Sequence, residues 1–176
     1  MGPPIAPKTP KRRGKISKPA ALKQGHDLGA FDCERDAINN WLRNRAKRAE
    51  GDTGRTYVVC RGPKKVIGFY ALAAGAVEHN KAPGALRRNA PEPIPVIILA
   101  QFGVDREEKR QGIGADLLSH AMRRALQAAK IIGARALLIH ALDAAAAQYY
   151  RSHNFRPLDE RGETFYLSMK EMRDAL

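Results

Sequence analysis

Two glycines and two neighbouring tyrosines are the residues of this chain best suited to chemistry. Gly112-Ile113-Gly114 follows the basic run Lys109-Arg110-Gln111. The glycines leave backbone N–H groups open to an anion, with no Cβ in the way. A helical pattern begins at the same point: Leu117, Leu118, Ala121, Met122, Ala125 and Ala128 recur at spacings of three and four. Its first turn has free N–H donors and the positive end of the helix dipole. The apolar segment Ile94–Val104 precedes it and reads as a buried strand. Strand, glycine turn and helix start together make a phosphate cradle; the plainer alternative is a tight turn at an ordinary helix start. A P-loop would need Gly-x-x-x-x-Gly-Lys-Ser/Thr, and a dinucleotide fingerprint a third glycine; the chain has neither here. Tyr149 and Tyr150 fall on a later helix, about 100° apart around its axis. The plainer reading is that both are core aromatics; the alternative is that one packs while the other works, since a positioned phenol can act as a general acid.

The elements that must position these groups are legible in outline. A helix opens at Asp32 or Cys33, with Ile38, Trp41, Leu42 and Ala49 on its inner face. Thr56–Cys60 and Val66–Val77 read as strands joined by a turn at Arg61-Gly62-Pro63-Lys64, hence a hairpin. Residues 78–92 form a polar connection before the strand Ile94–Val104. The cradle helix runs to about Lys130, followed by a buried strand Ala136–Leu142. Asp143 is placed to cap a helix over Ala144–His153. A last strand, Thr164–Ser168, precedes an amphipathic helix with Met169, Met172 and Leu176. The order reads as mixed α/β with no internal repeat.

Length and composition restrict the function. A chain of 176 residues suits one domain with a sizeable core. No apolar run reaches the ~18 residues of a membrane span, and the basic N-terminus lacks the apolar stretch of a secretory signal. Cys33 and Cys60 are too few for a disulfide framework, and no Cys/His spacing suggests a metal, so no metal and a reducing, cytoplasmic setting are expected. The net charge is +13. Residues 1–26 hold seven Lys or Arg and no acid, and the remainder is basic too. This balance favours a polyanionic partner, nucleic acid ahead of an anionic membrane. Residues 1–16, rich in proline and basic residues, read as a disordered tail, either a solvated extension or a nucleic-acid-binding arm. The folded domain is expected over 17–176.

The cradle resembles the acyl-CoA pyrophosphate loop of the GNAT superfamily of N-acetyltransferases, Gln/Arg-x-x-Gly-x-Gly/Ala, with Lys109 where that family prefers Gln or Arg. Tyr149-Tyr150-Arg151-Ser152-His153-Asn154-Phe155 is similar to the family's Phe-Tyr-x-x-x-Gly-Phe. Asn154 replaces the glycine; asparagine tolerates the left-handed conformation that such a helix end requires. Other stretches resemble one branch of the superfamily, the toxins of type II toxin–antitoxin modules that acetylate aminoacyl-tRNA. They are Gly29–Cys33, Trp41-Leu42, Arg55–Val59, Gly68–Leu72, Ala85–Asn89 and Pro93–Pro95. The likeness covers roughly residues 20–170 and leaves the tail out.

The resemblance implies an α/β GNAT fold, with a central mixed, mostly antiparallel sheet splayed at the acetyl-CoA site and flanking helices, and direct transfer of acetyl to an amine. Backbone of Phe102, Gly103 and Val104 would bond the pantetheine; Lys109, Arg110, Gln111, Gly112, Ile113 and Gly114 would hold the pyrophosphate. Tyr150 matches the catalytic tyrosine, the proton donor to the departing thiolate. No general base is evident. An α-amine titrates near pH ~8, so a neutral fraction exists without one; Glu78, His79 and His140 are the possible contributors. A nucleophilic Cys–His route is disfavoured. For the tRNA backbone the candidates are Arg87 and Arg88, then Arg43, Lys47 and Arg48, with Arg151 near the acceptor end. Arg43 and Lys47, four apart on a helix, repel unless an anion neutralises them. A homodimer and a ribbon–helix–helix antitoxin are implied as partners. The competing readings are a GNAT enzyme for a protein N-terminus or small amine, and a non-catalytic tRNA-binding module.

Overall fold

The computed structural model describes residues 13–176. In chain order the elements are β1 (Ala20–Ala21), α1 (Asp36–Asn44), α2 (Ala46–Ala49), β2 (Arg55–Arg61), β3 (Lys65–Val77), α3 (Gly84–Arg87) and β4 (Ile94–Val104). They continue with α4 (Ile113–Ile132), β5 (Ala136–His140), α5 (Ala144–Ser152), β6 (Arg156–Pro157), β7 (Thr164–Ser168) and α6 (Met169–Ala175). The strands form one sheet in the order β1-β2-β3-β4-β5-β7-β6. All pairings are antiparallel except β4 with β5. The mixed, mostly antiparallel sheet expected from the sequence is therefore present.

The core follows the periodicities. Helix α4 lays Ile113, Leu117, Leu118, Ala121, Met122 and Ala125 on the sheet, where they meet Ile67, Tyr70, Leu99 and Leu137. Burial of that stripe supplies most of the helix's stability, since such helices owe little to propensity alone. The first helix packs elsewhere: Ile38, Leu42 and Ala46 join Phe31, Val58 and Phe69 in a second cluster. Ser168 and Glu171 form a reciprocal capping box that starts α6 and buries Met169 and Met172.

Several expectations shift. The first helix starts at Asp36, not at Asp32 or Cys33, because Asp32 is used differently: its Oδ1 accepts bonds from the Glu34 N–H (2.8 Å) and Asn39 Nδ2 (2.9 Å). Glu34 then takes a positive φ of 66°, and the chain turns before becoming helical. The helix also breaks at Arg45 into α1 and α2, which leaves Ala46 buried and Ala49 only half-buried. The connection 78–92 contains the short helix α3, which buries Leu86. Leu176 is exposed and not part of the α6 packing face. Ile16 bridges Arg61, and the Gly14 and Lys15 carbonyls accept bonds from Arg61 and Gly62. The remainder of the expected tail, residues 1–12, lies outside the described residues.

Candidate active site

The cleft arises from a mismatch between two strands. β4 pairs with β3 along its whole length, but with β5 only through Ile97–Leu99 against Leu137–Ile139. At the end of that short ladder Ala100 is an extra residue: Leu72 faces Leu99 while Ala71 faces Gln101. A bulge of this kind bends a strand and ends its pairing on one side. Beyond it β4 and β5 diverge, and among the described residues Gln101–Val104 have no strand partner on the β5 side. Their outward N–H and C=O groups therefore need another partner. The gap is a cleft of about 1140 Å³, lined by Leu99–Val104, the start of α4, residues of α1 and of α5. Phe102, Gly103 and Val104, assigned from sequence to a bound pantetheine, all line it.

One end of the cleft is the glycine turn. Arg110 and Gly112 both adopt positive φ, 63° and 78°. Gly112 is the N-cap of α4 and provides no side-chain cap, so the N–H groups of the first turn remain available to a ligand. A Cβ at Gly112 would meet no protein atom within 4 Å, so this glycine serves conformation and open space. A Cβ at Gly114 would come within 3.2 Å of the Tyr149 hydroxyl. Lys109, Arg110, Gly112, Ile113 and Gly114 line the cleft, whereas Gln111 does not. The Gln111 side chain turns behind the loop, where its Nε2 donates to Glu108 (2.7 Å). Lys109 pairs with Glu34 across the loop.

Behind the cradle lies an anchor that sequence reading did not find. Glu108, 5 % exposed, receives a two-pronged bond from Arg61 on β2: Nε to Oε1 at 2.7 Å and a terminal nitrogen to Oε2 at 2.6 Å. The Arg61 guanidinium holds the Glu108 carboxyl below the usual range despite its burial. Forty-seven positions separate the pair, so nothing local signals it.

The other wall is α5. Asp143 caps it through Oδ1, accepting from the Ala146 N–H at 2.8 Å, as expected. Asn154 has φ 68°, and the Phe155 N–H returns to the Tyr150 carbonyl at 3.1 Å, closing the helix as the glycine of the family pattern would. Tyr150 is 5 % exposed, lines the cleft, and packs edge-on against Phe102 and Phe155. Burial, reinforced by Tyr149, raises its pKa well above the ordinary tyrosine value, while the nearby Arg35 charge opposes the rise. Tyr150 therefore keeps its proton through neutral pH, as a proton donor must. Arg35 is the N-cap residue of α1. It lines the cleft, and its Nε (3.1 Å) and a terminal nitrogen (2.8 Å) bond Asp143 Oδ2, tying the first helix to the start of α5.

The remaining candidates scatter. Glu78 and His79 follow Val77, which pairs with Ile94 at the far end of β4 from the cleft; they bond Lys81 and Glu92 and are not placed to serve as a base. His140 does reach the cleft, its Nδ1 2.9 Å from Thr164 Oγ1. Arg43 and Lys47 do not face outward unpartnered: Arg43 donates to the Phe31 carbonyl, and Lys47 to those of Gln24 (2.7 Å) and His26 (2.9 Å). Loop carbonyls thus relieve part of their mutual repulsion. Arg48, Arg87 and Arg88 are exposed. The Arg88 and Asn89 carbonyls hold Arg135, which places Arg87 and Arg88 near the start of β4, away from the glycine turn. Arg151 lies over the Phe165 ring at 5.2 Å. Cys33 and Cys60 are buried, which raises both thiol pKa values and fits structural roles. Among the described residues no group of His, Cys, Asp or Glu gathers to hold a metal, and no helix is long and apolar enough to cross a membrane.

A splayed sheet, an anion-binding helix start at one end of the gap and a buried phenol in its wall define an acyl-CoA-dependent acyltransferase. Residues 52–157 match the acetyltransferase (GNAT) domain family. The chain is 40% identical over 158 residues to a tRNA-acetylating toxin of Mycobacterium tuberculosis, covering 89% of this chain and 95% of that protein. It also superposes on AtaT complexed with acetyl-methionyl-tRNAfMet, with a TM-score of 0.82, 25% identity, and coverage of 92% and 99% of the two chains. AtaTR bound with acetyl-CoA superposes with a TM-score of 0.77 at 27% identity, covering 91% and 97%. The chain belongs to the GNAT acetyltransferase family.

Proposed function

We propose that this chain is an acetyl-CoA-dependent N-acetyltransferase toxin that acetylates the α-amino group of aminoacyl-tRNA and so blocks translation. The observation that carries this reading is the cleft between β4 and β5, with the glycine turn and Tyr150 in its walls. The tRNA-acetylating relative, aligned over nearly its whole length, supports the substrate. In this reading the pyrophosphate of acetyl-CoA sits on the first turn of α4, and the pantetheine amides take up the free backbone groups of Phe102–Val104. The acyl carbon then lies toward the Ala100 bulge. The neutral α-amine attacks it, the C–S bond breaks as the C–N bond forms, and the sulfur takes the Tyr150 proton. The proton lost by nitrogen passes to solvent, from which Tyr150 is restored. His140 is the titratable base candidate that shares the cleft.

The exposed cations Arg48, Arg87 and Arg88 would hold tRNA phosphates, with Arg43, Lys47 and Arg151 at secondary positions. Such contacts position a nucleic acid and carry little sequence information. A ribbon–helix–helix antitoxin and a homodimer complete the proposal, by analogy with the toxin branch. The test is acetylation of bulk charged tRNA with labelled acetyl-CoA. Label that stays on nucleic acid and is released as N-acetylamino acids when mild base cleaves the aminoacyl ester supports the proposal. Label found only on protein N-termini or polyamines supplied in parallel overturns it.

A further inference from the structure

Among the described residues, the Tyr149 hydroxyl is a fully buried polar atom with no hydrogen-bond partner. Buried hydroxyls are nearly always paired, so an orphan needs a reason. This one stands against the first turn of α4, in space that any side chain at position 114 would contest: a Cβ on Gly114 would lie 3.2 Å from it. In a helix the Cα–Cβ bond leans toward the N-terminus. The hydroxyl therefore stands beside the start of α4, whose first turn has free N–H groups. Its ring is held on three sides, with centroids 6.1 Å from Phe102, 5.5 Å from Tyr150 and 4.4 Å from His153. Phenylalanine, the residue of the resembling family pattern at this position, would make those ring contacts equally well. Packing does not explain the oxygen.

We propose that Tyr149 is a cofactor-binding residue, its O–H donating a hydrogen bond to a pyrophosphate oxygen of acetyl-CoA seated on the first turn of α4. The inference rests on the acetyl-CoA placement described under Proposed function. The acceptor has to be brought by the ligand, and Tyr149 lines the cleft that the ligand would fill. Burial raises the Tyr149 pKa, so the group remains a donor. A bond from a neutral donor to a phosphate oxygen is charge-assisted and strong.

The test compares the intact chain with Tyr149→Phe, using acetyl-CoA and S-acetylpantetheine, a thioester that lacks the pyrophosphate. The expected result is a roughly ten-fold rise in the Kd for acetyl-CoA, in keeping with a bond to a charged acceptor. The kcat at saturating acetyl-CoA and the kcat/KM for S-acetylpantetheine should not change. The melting temperature without ligand should hold or rise, since an unpaired buried hydroxyl has been removed. A Kd within two-fold of the parent overturns the inference, and so does equal weakening toward S-acetylpantetheine. A parent chain that binds no acetyl-CoA overturns the functional reading as well, whereas a Tyr149→Phe variant that binds like the parent overturns only this one.

Discussion

Removing the Glu108 carboxylate should loosen the cradle from behind. Glu108→Ala leaves Arg61, whose side chain is 14% exposed, without its counter-ion. Breaking a buried pair by deleting one partner costs about 3–5 kcal/mol, and the partial exposure of Arg61 argues for the lower end. A chain of this length loses about 2–4 °C of Tm per kcal/mol, so a drop of roughly 6–12 °C is expected at pH 7. The effect has a pH signature. The folded-state pKa of Glu108 is depressed by Arg61, so the carboxylate's contribution is complete above the unfolded value near ~4.3. It fades as pH falls through the folded value. Thermal melts of parent and variant from pH 7 to pH 3 should therefore keep a constant gap down to about pH 5, and the gap should narrow in the acid. The double change Arg61→Met with Glu108→Met should melt above the single variant, because no buried charge is stranded. A gap below about 2 °C at pH 7, on the same conversion, would refute the anchoring argument. So would a gap that widens in acid.

Tyr150→Phe keeps the ring and removes the acid, so turnover should fall ~10²-fold or more while isothermal titration shows acetyl-CoA still bound; full turnover would exclude Tyr150 as the donor. Gly112→Val forces a β-branched residue into φ 78°, a strain of roughly 1–2 kcal/mol, and should both lower Tm and abolish the shift that acetyl-CoA produces by binding the native state. Replacing Arg87 and Arg88 together by Ala should flatten the plot of log K for charged tRNA against log salt by up to about two units and leave acetyl-CoA affinity unchanged. An unaltered slope would move the phosphate contacts elsewhere on the surface.

What the sequence determined by itself was whatever a few consecutive residues decide. Gly112 starts a helix in a left-handed turn, Asp143 caps α5, and Asn154 accepts positive φ, because each depends on local backbone sterics or on a side chain reaching its own helix end. The α4 stripe and the strand Ile94–Val104 were equally plain, because burial follows helix and strand periods. Tyr150 and the cradle became a candidate site through a family pattern that spans the later helices. The tertiary structure decided what depends on residues far apart in the chain. It opened the cleft by ending the β4–β5 ladder at Leu99. It gave Glu108 to Arg61, 47 positions distant, and the anchored Glu108 in turn holds Gln111 off the cleft. It brought Arg35 to Asp143 across 108 positions, and engaged Arg43 and Lys47 with loop carbonyls. It also set the Tyr149 hydroxyl against Gly114. Local sequence records no partner for any of these groups, since a long side chain commits its charge or hydroxyl only when packing brings a second element within about 3 Å of it.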